Sequence, residues 1–162
     1  VAQIKKLAGG KNEDVVQKEA EYKRAGGNST PEGRKVGTEL AVLYAEYPGT
    51  SFEAIRLAEQ LFPLQEKNGK NESETLYAAQ NAEILGHGYK SQQKNRQSAE
   101  MFLKSAKFYR TCGKNEEAAA AMYGAYDSFL AAGMKGDANA TARQLKELYP
   151  ASRQAKSVKT DN

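Results

Sequence analysis

Tryptophan is absent from these 162 residues, and cysteine and histidine occur once each, as Cys112 and His87. A single cysteine excludes an intrachain disulfide and any multi-cysteine metal site. Prolines are only four (Pro31, Pro48, Pro63, Pro150), and the Val, Ile and Thr runs that build strands are missing. No stretch approaches the roughly 20 consecutive apolar residues that a membrane helix needs, so no membrane insertion by this segment is expected. Zinc-ligand spacings, phosphate-cradling glycine loops and helical metalloprotease motifs are also missing. The sequence thus gives no catalytic residue, no cofactor and no metal site.

Hydrophobic residues make up 40% and charged residues 27%, ordinary values for a globular chain. The 24 basic and 20 acidic residues leave a net charge of +4. That excess is too slight for the dense basic face of a nucleic-acid binder and gives only a mild preference for acidic partners. With Val1 in first place, the chain reads as a mature product or an excised piece of a larger protein.

Alanine is abundant, and it loses little entropy in a helix. The apolar spacing predicts amphipathic helices throughout, hence an all-α fold of about seven to eight helices. Val1–Ala8 reads as a helix end closed by Gly9 and Gly10, followed by a helix from about Asn12 to Ala25. The next, Glu32 to Tyr47, starts with Thr30 as cap and Pro31 in the first turn. Thr50 or Ser51 caps a fourth helix with Phe52, Ile55, Ala58, Leu61 and Phe62 inward, which Pro63 should kink or shorten. A fifth spans Glu72 to Gly86 and ends at Gly86-His87-Gly88. Three more cover Ser91–Thr111, Asn115–Ala132 and Asp137–Tyr149. Residues 1–150 form one domain on this reading, and 151–162 a tail that starts a further helix or is disordered.

Each stripe is too narrow to fold alone, and short turns between helices of similar length favour antiparallel neighbours. The word Gly-Lys-Asn-Glu occurs at Gly10, Gly69 and Gly113, each time ahead of a predicted helix.

Phe102 to Ala125 resembles a tetratricopeptide repeat. Phe102, Ala106 and Tyr109 match the large, small and aromatic positions of its first helix. Gly113 matches the turn glycine, Glu116-Glu117-Ala118 the opening of its second helix, and Met122 and Ala125 the large and small positions that follow. The resemblance implies a right-handed solenoid of antiparallel helix pairs acting as a protein-interaction scaffold. It further implies that a partner segment lies on the concave surface at Glu100, Leu103, Lys107, Arg110 and Thr111. The carboxylate-clamp subfamily needs a Lys and an Asn where this chain has Leu103 and Lys107, which argues against chaperone-tail binding. The stops Tyr47-Pro48-Gly49-Thr50-Ser51 and Tyr149-Pro150-Ala151-Ser152 look like those of bacterial envelope tetratricopeptide proteins, implying a periplasmic or envelope setting.

The isolated chemistry-bearing residues read as structural. His87 lacks a triad partner and reads as an exposed turn residue. Cys112, beside Arg110 and Lys114, has no nearby base and reads as a half-buried structural thiol. Glu116 and Glu117 point to different faces. The sequons at Asn28, Asn71 and Asn139 read as chance. Lys90, Lys94, Arg96, Lys104, Lys107, Arg110 and Lys114 form a basic run with Glu100 as its only acid. It is either a solvated face or a groove for an acidic peptide. The expected function is therefore a non-catalytic interaction module whose partner is another protein or peptide, with no nucleic acid expected. The rivals are an inter-helix pocket for a small ligand or substrate, and an RNA-binding helical repeat using residues 90–114.

Overall fold

The computed structural model describes residues 12–68 and 71–160. The helix expected over Val1–Ala8, and the glycines Gly9, Gly10 and Gly69, lie outside them. The described residues are all-helical, with no strand among them. The elements are α1 (Glu13–Arg24), α2 (Pro31–Glu46), α3 (Ser51–Asn68), α4 (Glu72–Ser91), α5 (Asn95–Thr111), α6 (Asn115–Ala131), α7 (Lys135–Leu148) and α8 (Arg153–Ser157). Short 3-10 turns occupy Gly27–Ser29 and Pro48–Thr50.

From α1 to α7 each helix packs on the next in sequence, and α2, α4 and α6 also touch one another in turn. The largest core cluster joins α5, α6, α7 and α8 around Phe102, Met122, Phe129 and Leu145. A second joins α1, α2 and α3 around Val15, Leu40 and Leu61, and a third joins α3 and α4 around Phe62 and Leu85. The stripe expected on α6 is buried throughout, at Ala118, Met122, Ala125, Tyr126 and Phe129. Beyond Pro150, Ala155 and Val158 join the α5–α7 core, and Lys159 N donates to Tyr126 Oη at 3.3 Å.

Three expectations about α3 change. α3 runs on through Pro63 to Asn68, so proline removes one backbone bond without shortening the helix. Phe52, expected inward, is 72% exposed at the start of α3. Neither Thr50 nor Ser51 caps α3 through its side chain: Thr50 Oγ1 donates back to the carbonyls of Tyr44 and Tyr47 at 2.8 and 3.1 Å, and Ser51 Oγ to that of Pro48 at 3.2 Å.

The largest change concerns Gly86-His87-Gly88, which lies inside α4. These glycines permit close packing and do not stop the helix. A Cβ at Gly86 would lie 2.8 Å from the Phe102 ring, and one at Gly88 would lie 2.5 Å from Ile55 Cγ1. The helix ends five residues later, with Gln93 in the left-handed region at φ 60°.

That ending recurs. Gln93, Gly113 and Gly133 take φ of 60°, 70° and 73° at a 20-residue spacing. At each, the residue after the left-handed one donates to an aromatic residue's carbonyl five positions back: Lys94 to Tyr89, Lys114 to Tyr109 and Met134 to Phe129, all at 2.9 Å. The left-handed residue itself donates to Lys90, Arg110 or Leu130. This is the Schellman pattern, in which two orphan carbonyls at a helix end are satisfied. It joins α4, α5, α6 and α7 by three turns of one design.

Only Gln93 carries a side chain at this position, and a left-handed L-residue costs about 1–2 kcal/mol. Gln93→Gly should therefore stabilise the fold by about 0.5–1 kcal/mol, after glycine's extra unfolded-state entropy is deducted. Gly113→Ala or Gly133→Ala should destabilise it by about 1 kcal/mol. Urea unfolding midpoints measure all three.

Candidate functional site

The five residues expected to bind a partner all fall on α5 or at its end, and the helix separates them. Glu100 is turned toward Arg96, which it pairs with at 3.1 Å. Thr111 Oγ1 donates to the Lys107 carbonyl at 3.0 Å. Leu103, Lys107 and Arg110 instead line one shallow recess of about 230 Å³, facing Leu148 and Tyr149 at the end of α7, with Met122 of α6 behind. Lys107 and Arg110 are exposed, and neither is in an ion pair among the described residues. Leu148 is 43% exposed. The Tyr149 hydroxyl is buried without a partner among the described residues.

Most of the remaining basic run is occupied locally. Lys90 pairs with Asp127 of α6. Lys94 lies over the Tyr89 ring, 5.6 Å from its centroid. Lys104 pairs with Glu66 of α3 at 3.1 Å and lies over Phe62. With Arg96 held by Glu100, four of the seven cations are engaged by neighbouring side chains. The continuous basic face that the sequence suggests becomes a pair of free cations beside apolar groups, with Lys114 at the next turn.

A second hollow, of about 510 Å³, opens between α2, α3 and α4, lined by Val42, Glu46, Ile55, Glu83, Ile84 and His87 among others. Sequence reasoning missed it, because its walls come from residues as far apart as Val42 and Tyr109. His87 is exposed as expected, but it stands on α4 and packs edge-to-face on Phe102 at 4.9 Å. Cys112 is half-buried. Its Sγ donates to the Glu72 carbonyl at 3.7 Å, and burial pushes the thiol pKa up. An activated nucleophile requires a shift in the other direction. No group of three or more His, Cys, Asp or Glu residues among the described ones is arranged to hold a metal. No described helix is long and apolar enough to cross a membrane.

Tyrosine–glutamate ties join α1 to α2, α3 to α4 and α4 to α5. Tyr109 Oη of α5 donates to Glu83 Oε2 of α4 at 2.5 Å, and Tyr89 Oη of α4 donates to Glu59 Oε1 of α3 at 2.9 Å. Tyr44 of α2 does the same to Glu19 of α1. Burial first, then the carboxylate partner, raises each phenol pKa, that of Tyr89 to about 12. Comparison with family models, with curated proteins and with solved structures gives no match for this chain.

The phenols have a pH consequence. A group whose folded pKa exceeds its unfolded value of about 10 contributes its full stabilisation below that value, and loses it as pH rises through the folded pKa. Lys18, raised by its hydrogen bonds to Glu21 and Glu39, acts in the same direction. Urea midpoints should therefore fall between about pH 9 and pH 12. The fall should be smaller in Tyr109→Phe, which has no phenol to ionise there. A flat profile in the parent chain would contradict the ties.

Proposed function

We propose that this chain is a non-catalytic protein-interaction module, a right-handed stack of antiparallel helix pairs of the tetratricopeptide type within a larger bacterial protein facing the envelope. Two features support the stack. One turn design recurs at a 20-residue spacing, and the contacts between alternate helices run along α2, α4 and α6. That spacing gives about 40 residues per helix pair, longer than the 34 of a tetratricopeptide unit, so the likeness is to the general architecture.

The recess between α5 and α7 carries the functional reading. Lys107 and Arg110 stand free at the edge of an apolar hollow formed by Leu103, Met122 and Leu148, with a buried, unpartnered tyrosine hydroxyl beside it. Free cations bordering apolar surface suit a segment that carries carboxylates around an apolar anchor. Engagement of four cations by neighbouring side chains leaves little continuous basic surface for RNA, whose binding rests on multiple phosphate contacts.

The test uses a fluorescein-labelled peptide of alternating Leu and Glu, read by anisotropy at low salt. The parent chain should bind it, and Lys107→Glu with Arg110→Glu should weaken binding by about ten-fold or more. Both sites are exposed, so the helical circular dichroism should persist. Binding that survives the double charge reversal would overturn the reading.

A further inference from the structure

The hollow between α2, α3 and α4 has the opposite electrostatic character. Its floor is apolar, built from Val42 and Ala45 of α2, Ala54 and Ile55 of α3, and Ile84 of α4. Glu46 and Glu83 stand in its lining, and neither Lys nor Arg does. A smaller hollow of about 260 Å³ shares Val42, Glu46 and Gln80 with it and adds Glu39 and Leu43. The two therefore form one path along α2 and α4, with three carboxylates beside it.

These carboxylates are only partly compensated. Glu39 is paired with Lys18 at 3.1 Å on its far side, toward α1. Glu83 accepts a hydrogen bond from neutral Tyr109, which fixes its position and leaves its charge. Glu46 is exposed at the end of α2 and has no ion-pair partner among the described residues. A net-positive protein thus keeps a local negative rim around apolar floor residues, and such a field attracts cations and selects against anions.

We propose that this groove is a second docking site, and that its occupant is a protein segment carrying Lys or Arg on both sides of an apolar side chain. The apolar residue seats on Ile55 and Ile84, and the cations meet Glu46 and Glu83. An open path shared by two hollows suits an extended segment more than a compact small molecule. The site is separate from the α5–α7 recess and has the opposite charge preference, so either can fail without the other.

The probe is a fluorescein-labelled peptide of alternating Leu and Lys, followed by anisotropy. The protein's net charge of +4 opposes general attraction of a cationic peptide, so binding reports a local acidic site. Glu46→Lys should weaken binding by about ten-fold or more. Ala45→Arg, an exposed position in the groove lining, should do the same by filling the floor and adding a like charge. The Lys107→Glu, Arg110→Glu variant should bind this peptide at least as tightly as the parent. Circular dichroism shows that each variant is folded. Equal binding by the parent and both groove variants would overturn the proposal. So would hexylamine competing as well, mole for mole, as the unlabelled peptide, since the occupant would then be a small amine.

Discussion

The ring of Phe102 lies between two glycines, Gly86 on α4 and Gly124 on α6, so close that a Cβ at either would come within 3.0 Å of it. An aromatic side chain 2% exposed at the centre of three helices contributes roughly 1.5–3 kcal/mol by burial. It does so only because both neighbours leave room. The same closeness lets small hydroxyls span the interfaces. Ser98 Oγ of α5 donates to the Gly86 carbonyl at 2.6 Å and lies 2.9 Å from Ser128 Oγ of α6, while Ser105 Oγ donates to the Ala79 carbonyl at 2.8 Å. Close approach through Gly, Ala and Ser thus sets the spacing of α4, α5 and α6, and with it the position of the side chains that these three helices turn toward the hollows.

Toward α2 and α3 the stack changes its means of cohesion. Arg34 donates to Glu74 Oε1 from Nε at 3.1 Å and from Nη2 at 2.9 Å. Gln65 and Asn81, both fully buried, donate to Thr38 Oγ1 at 2.8 and 3.0 Å. Three helices share these bonds, and a buried polar group is satisfied in only a few relative positions. The network therefore fixes the register of α2, α3 and α4 rather than adding much net stability. This register brings Glu46 of α2 and Glu83 of α4 to the same hollow.

The sequence displayed what lies within one helix and concealed what lies between helices. The α6 stripe was fully legible, because Ala118, Met122, Ala125, Tyr126 and Phe129 follow one helical face. Gly86 and Gly88 misled, because a glycine that admits a neighbouring ring looks the same in sequence as one that ends a helix. The repeated word Gly-Lys-Asn-Glu does mark the starts of α1, α4 and α6, but by different means: Asn12 and Asn71 cap their helices through their side chains, whereas Asn115 is the first residue of α6. The true period was visible in Tyr89, Tyr109 and Phe129, spaced by 20 residues, but Gln93 in place of glycine hid the first of the three turns. The basic run was legible as charge, yet its partners Asp127 and Glu66 lie on other helices. Only folding shows that Lys107 and Arg110 remain free.

Free charge on this molecule is what remains after each helix has satisfied its neighbours. Local pairing consumes cations along α5 until two are left beside an apolar recess. Along α2 and α4 it leaves carboxylates beside another. Charges of one sign next to exposed apolar groups stay hydrated at little cost when alone, and they reject a partner of the same sign. A uniformly basic surface would have bound anions with little discrimination. On the readings proposed, two hollows of opposite sign on one set of packed helices would let two segments be told apart by charge before their apolar residues meet. The close packing around Phe102 and the polar network of α2, α3 and α4 together position the two hollows, and a scaffold holding two partners together would require such a fixed relation.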